Sequence, residues 1–216
     1  MKKTLFLTTC GISVFLMFCT AIAEELKPIQ LPKPQMDGGK PLMQVLKERK
    51  SSREFSPEKL SLQVLSNLLW AASGVNRPES GRRTAPTAAN WQEIDIYLAM
   101  AEGLYLFEVK SHLLKPVLAE DIRALAGRQS FVKEAPLNLI YVADLSRISR
   151  GTNEEKDFFS ATDTGFIAQN VYLFCASEGL ATVVRANIDK PTLAKTMKLG
   201  PDQRITLSQT VGYPRK

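Results

Sequence analysis

The run Leu137-Asn138-Leu139-Ile140-Tyr141-Val142-Ala143 is apolar at nearly every position. A strand sends alternate side chains to opposite faces, so this run suits a central strand that is covered on both sides. The rest of the chain must supply the cover. Leu42, Val45 and Leu46 recur at helical spacing. A second helix starts near Ser56-Pro57 or at Ser61 and runs through Leu65, Leu68, Leu69 and Ala72, with Gly74 as its C-terminal cap. Residues 94–99, 104–109 and 113–118 alternate like strands, with turns at Glu102-Gly103 and Lys110-Ser111-His112. The pattern then predicts a short helix over 119–127, a long one over 154–178 closing at Gly179, a strand over 181–186, a helix over 191–199 and a last strand over 204–211. Strands and helices mix without strict alternation, which indicates an α+β fold with a mostly antiparallel sheet flanked by helices.

The beginning of the chain reads differently. Lys2 and Lys3 precede an apolar stretch over residues 4–20, and Ala21-Ile22-Ala23 offers a small-residue cleavage site before Glu24-Glu25. This is the layout of a secretory signal peptide over 1–23, which predicts an exported, periplasmic protein. An uncleaved N-terminal membrane anchor is the alternative, because the run is almost long enough to span. A lipoprotein site at Cys19 fits less well, since bulky Met17 and Phe18 stand where small residues are wanted. Residues 24–40, with three prolines and Gly38-Gly39, form an irregular lead-in, and residues 41–216 make one domain with a substantial core.

Removing 1–23 takes away two lysines and no acid, so the formal charge falls from +6 to +4. That mild surplus permits anionic ligands, and no long basic run or aromatic-rich motif argues for nucleic acid. Of three cysteines only Cys175 would remain, which forbids an intrachain disulfide, and its apolar setting makes it a packing residue. His112 is the only histidine. A Ser-His-Asp triad or a zinc site would each have to be built around that one imidazole, which argues against both and leaves no metal site expected.

The segment Arg49-Lys50-Ser51-Ser52-Arg53-Glu54-Phe55 packs three cations and two hydroxyls into five positions. It can be a solvated charge run, a nucleic-acid contact or a phosphate site. For phosphate it offers bidentate arginines and neutral donors. Neither a P-loop nor a Rossmann glycine pattern is present, so side chains would have to hold the anion. Residues 75–92 form a long loop of the functional or disordered kind. The long helix carries Ala161, Gly165, Ala168 and Ala176 among the polar residues Asp163, Gln169 and Asn170. It is equally compatible with packing inside one monomer and with a helix–helix dimer interface.

These residues together resemble the FMN-dependent nitroreductase family. Arg49–Phe55 is similar to its R-x-S-x-[RK]-x-F opening, and Arg83-Thr84-Ala85-Pro86-Thr87-Ala88-Ala89-Asn90 to its flavin loop. Glu102-Gly103-Leu104-Tyr105 with His112 and Leu114 resembles the hairpin of the azoline-oxidising (SagB-type) branch. Gln129-Ser130-Phe131-Val132, Ala135-Pro136, Asp163-Thr164-Gly165, Glu178-Gly179-Leu180 and Gly212-Tyr213-Pro214 follow in the family's order, so the resemblance covers 41–216.

The resemblance implies a nitroreductase-like fold, an intertwined homodimer and one FMN at each of two interface sites. It places Arg49, Lys50 and Ser51 at the phosphate and ribityl chain, and Arg53 at the pyrimidine edge. Pro86, Thr87, Ala88 and Asn90 would come from the partner subunit. Gln129 would meet the ring's polar edge, Val184, Arg185 and Ala186 would lie along the ring, and Arg215 would return to the phosphate. Arg185-Ala186 departs from the usual glycine-containing pair, so the guanidinium would either recruit an anionic substrate or close the substrate face. Asn90-Trp91-Gln92-Glu93 lacks the proline often found next.

The implied activity is ping-pong electron transfer between a donor and an electron-poor organic acceptor. NAD(P)H is the family's donor, but it is scarce outside the cytoplasm. A non-enzymatic flavin- or anion-binding protein on the same fold is the alternative, and a basic surface-interaction protein without cofactor is a third reading.

Overall fold

The computed structural model describes residues 25–215, so the signal segment predicted over 1–23 lies outside the described residues. In chain order the elements are β1 (Ile29–Gln30), α1 (Leu42–Glu48), α2 (Leu62–Ser73), β2 (Val75–Arg77), β3 (Arg82–Arg83), β4 (Ile94–Met100), β5 (Gly103–Glu108), β6 (Leu113–Leu118), β7 (Leu137–Asp144), α3 (Asn153–Glu178), β8 (Ala181–Arg185), α4 (Lys190–Thr196) and β9 (Gln203–Gly212). Seven strands form one sheet in the order β1-β6-β5-β4-β7-β9-β8. Every pairing in it is antiparallel. The α+β expectation holds.

The central-strand reading of the apolar run also holds. From Leu137 to Ala143 every residue of β7 is buried, and the strand pairs with β4 on one side and β9 on the other. Its alternate side chains enter two cores. Leu139, Tyr141 and Ala143 pack with Leu65, Leu68 and Leu69 of α2 and with Ile167, Val171 and Cys175 of α3. Ile140 and Val142 pack on the opposite face with Ile122, Ala126, Val132, Leu193 and Met197.

Helix boundaries follow from local chemistry. The Ser61 side chain accepts the Val64 N–H at 3.2 Å, so of the two expected starts for α2 the later one is used. Gly74 ends α2 as expected, but for a different reason: its φ is −69°, and a Cβ there would come within 2.4 Å of the Trp70 ring. Close approach rather than handedness requires the glycine. Thr152 and Glu155 exchange side-chain-to-backbone bonds at the start of α3, and Gly179, with φ +71°, closes it in the left-handed region.

Three expectations are corrected. The helix expected over 119–127 is only a short 3-10 turn at Arg123–Ala126. There Arg123 folds back to fork onto Asp121 instead of extending a helix face. The lead-in over 24–40 is not wholly irregular, because β1 adds to the sheet edge beside β6; two residues are too few to show a period. The 75–92 loop contains the two-stranded ribbon β2–β3 and a 3-10 turn at Ala88–Asn90.

Candidate functional site

The cationic segment leaves α1 at Arg49 and runs in extended form beside the end of the sheet. The Ser52 N–H bonds the Thr182 carbonyl at 2.9 Å, and the Ser56 N–H bonds the Tyr213 carbonyl at 2.8 Å. Phe55 forms a bridge with Pro214. The Phe55 side chain pins the segment: it is 2% exposed and packs against Phe131, with ring centroids 5.5 Å apart. The tail then folds over the segment, Arg215 Nε donating to the Phe55 carbonyl at 3.2 Å.

Tyr172, on the buried face of α3, joins the two ends of the expected site. Its hydroxyl accepts the Val184 N–H at 3.0 Å and shares a 2.8 Å hydrogen bond with Ser51 Oγ. The Arg49 guanidinium lies over its ring, 5.4 Å from the centroid. Beside it opens a cleft of about 620 Å³ lined by Lys50, Ser52, Glu54, Tyr172, Thr182 and Arg215, with Lys40 and Glu48 at its edge. Lys40 is paired with Glu48 and Arg215 with Glu134. Arg49, Lys50 and Arg53 have no ion-pair partner among the described residues.

Gln129 starts a 3-10 turn, and its Oε1 is buried with no donor in reach. Val184 is half-buried and Ala186 is exposed. Arg185 corrects an expectation. Its guanidinium neither reaches into solvent to recruit an anion nor covers a cleft; it turns inward, is 7% exposed, and bonds Ala126, Asn138 and Thr210. Inward orientation follows from strand alternation, since Arg185 faces the interior beyond half-buried Val184.

Pro86, Thr87 and Asn90 lie elsewhere in the chain, in a second cleft of about 460 Å³ with Arg77, Arg82 and Arg83. One subunit therefore does not bring this set together with Lys50 and Arg215. The loop's path is unusual: Ala89, Asn90 and Gln92 all have positive φ, between 47° and 57°. Such a turn costs energy and must be held. The Ala88 N–H bonds Asp163 Oδ2 at 2.9 Å, and Gln92 Nε2 bonds the Gly81 carbonyl at 3.0 Å.

Beneath this loop Glu93 and Asp163 are buried together, 0% and 2% exposed. Both Glu93 carboxyl oxygens lack a donor. Burial, reinforced by the Asp163 charge, pushes the Glu93 carboxyl up to about 7, while burial also raises Asp163. Burial and mutual repulsion thus favour the neutral form in both carboxyls, and Asp163 is the member that accepts the loop N–H.

Sequence reasoning missed Tyr172 and this acid pair. Tyr172 stands in an apolar run, and its one signal was a hydroxyl on the face shared with Ala168 and Cys175. His112 sits at the hairpin turn with φ +51°, its Nε2 bonded to Ser66 Oγ at 2.7 Å. Cys175 is fully buried and burial pushes its thiol far up, so neither is placed as a reactive group.

The sequence matches the family model described as Nitroreductase family over residues 46–213. The chain belongs to the nitroreductase family. A Methanocaldococcus jannaschii protein assigned by name to the nitroreductases is 35% identical over 152 residues, 66% of this chain and 76% of that one. A Ralstonia eutropha protein, likewise assigned by name to the nitroreductases and known from its crystal structure, superposes with a TM-score of 0.84 at 42% identity, covering 90% of this chain and 92% of that chain. The NADPH:FMN oxidoreductase of Vibrio harveyi shares the nitroreductase fold, with a TM-score of 0.61 at 18% identity over 81% of this chain and 69% of that one.

Proposed function

We propose that this nitroreductase is an exported, FMN-dependent oxidoreductase that passes electrons between a donor and a small electron-poor organic acceptor. The observation that carries the reading is the convergence of Arg49, Ser51 and Val184 on Tyr172. It ties the segment suited to a phosphate to the strand end suited to the ring, although they are far apart in sequence.

The residues fit the cofactor chemically. Arg49, Lys50 and Ser51, with Arg215 beside them, offer guanidinium, ammonium and hydroxyl donors suited to a phosphate and ribityl chain. Arg53 is exposed on the same segment and suits the pyrimidine edge. The donor-less Oε1 of Gln129 is a buried polar atom that wants a partner, and a flavin edge can provide one. Val184, Arg185 and Ala186 would flank the ring through their backbone. When bound, FMN supplies two-electron transfer, and the protein's part is orientation and electrostatics.

Pro86, Thr87, Ala88 and Asn90 would complete the site from a second copy of the chain. Exposed apolar residues on α1 (Leu42, Met43, Leu46) and α3 (Phe158, Phe166) favour such a homodimer. Assignment to the azoline-oxidising branch rests on the Glu102–Leu114 hairpin alone. Donor and acceptor would use one face in turn, the donor being NAD(P)H or, for a periplasmic protein, another reductant. The alternative of a blocked, non-enzymatic site loses its reason, because the Arg185 side chain is turned inside.

The test is direct. Chain lacking residues 1–23 is purified, its visible spectrum recorded, the chromophore released and identified, and its mass in solution measured by sedimentation. Bound FMN in a dimer is the expected result; a colourless protein that takes up no FMN and sediments as one copy overturns the reading.

A further inference from the structure

Charges buried in proteins are normally matched by an opposite charge. Arg185 is not. It is 7% exposed, and no carboxylate lies within ion-pair distance of it among the described residues. Its Nε donates to the Ala126 carbonyl at 3.1 Å, and its terminal nitrogens donate to Asn138 Oδ1 at 2.7 Å and to Thr210 Oγ1. The Phe131 ring lies 5.8 Å from the guanidinium carbon. All of these partners are neutral.

Two of these three acceptors have another donor. Ser208 Oγ donates to the same Ala126 carbonyl at 2.6 Å, and Thr210 Oγ1 donates to Asn138 Oδ1. An uncharged side chain of similar length would fill the space without stripping those oxygens of their bonds. What the arginine adds is its positive charge. Burial brings the guanidinium pKa down only to about 10, so the charge is present at neutral pH.

The charge also stands in a particular place. A Cβ at Gly127 would come within 2.4 Å of Arg185 Nε and 3.2 Å of Gln129 Oε1. Glycine there makes room for both side chains, so the guanidinium and the donor-less Gln129 oxygen flank one point behind the end of β8. Val184, the preceding residue, is the one tied to Tyr172.

We propose that Arg185 poises the redox potential of this protein: a fixed interior cation, unmatched by any acid among the described residues, that favours the more negatively charged, reduced state of flavin bound at the end of β8. This rests on the FMN reading above. A charge that needs no reorganisation and is shielded from water acts over a longer distance than one in solvent. It requires no contact with the ring.

The experiment compares FMN-loaded wild type with Arg185→Lys, Arg185→Gln and Arg185→Met by redox titration against a reference dye, after flavin content is measured. Gln keeps hydrogen-bonding capacity and guards against loss of fold in the Met variant. Both neutral variants are expected to disfavour reduction at least tenfold, a shift of about 30 mV to more negative potential for a two-electron couple, while Lys stays near wild type. Equal potentials in all four proteins overturn the proposal and leave the FMN reading standing. A Lys variant shifted as far as Gln also overturns it, since shape rather than charge would then matter. Wild type without bound FMN overturns the reading and this inference together.

Discussion

Tyr172 shows what one hydroxyl does in this protein. It serves the Val184 amide and the Ser51 hydroxyl at once, so Tyr172→Phe leaves a backbone N–H without its acceptor and frees the cationic segment to drift from β8. The expected cost is about 1–2 kcal/mol of stability, with FMN retention weakened about tenfold by the same energy. Tyr141→Phe is the matched control: its hydroxyl donates to Gln209 Oε1 at 2.7 Å deep in the core. That variant should lose comparable stability in urea titration and keep its flavin affinity. Equal flavin loss in both variants would show that Tyr172 matters only to the core.

At the scale of elements, the strained loop after β3 is held to α3 through Asp163, with the buried Glu93 carboxyl beside it. Glu93 is ordinarily a carboxyl of 4.5 and is raised to about 7 in the fold. Between those values the folded protein holds a proton that the unfolded chain has released. The contribution of this carboxyl to stability is therefore full below about 4.5 and is lost as pH rises through 7. Between pH 5.5 and 8.5 the fall amounts to about 2 kcal/mol. Glu93→Gln should flatten the difference between urea midpoints at those two pH values; an unchanged difference would place the titration elsewhere.

β4, β5 and β6 were legible because each is long enough to display alternation, β7 because its run is apolar on both faces, and α3 because the terminal Gly179 closes it. The flavin-loop and cationic segments were legible by their residues. Beyond β1, the β2–β3 ribbon and Tyr172, three more features were not. The helix expected over 119–127 has helical composition, but Arg123 spends its donors on Asp121 and on the Ala135 carbonyl. The inward turn of Arg185 is decided by neighbours on β7 and β9. The Glu93–Asp163 pair joins a loop to a helix across the fold, and no local pattern announces such a contact.

For the whole molecule, the unsolved surface is apolar. Phe158 and Phe166 are 67% and 43% exposed, and a Cβ on Gly165 between them would meet nothing within 4 Å. Within one copy Phe158 makes an edge contact with Phe159, ring centroids 5.7 Å apart, so replacing Phe158 and Phe166 with serine should change the stability of the single chain by no more than about 1 kcal/mol. The proposed dimer should instead dissociate at least tenfold more readily in sedimentation and surrender flavin in parallel, because Pro86 to Asn90 would no longer reach the second copy. Unchanged association would move the interface to another face.

The segment of Arg49 to Phe55 owes its shape to β8 and to the tail that folds back across it, with Arg215 bonding Phe55 from 160 positions away. On the ribosome these cations emerge early and then wait with nothing to lie against. Only when the last strand has been added does their bed exist. On the FMN reading, cofactor capture would thus await the finished chain: a polypeptide stopped short of Tyr213 would keep Arg49, Lys50 and Arg53, lose Arg215, and never assemble the pocket.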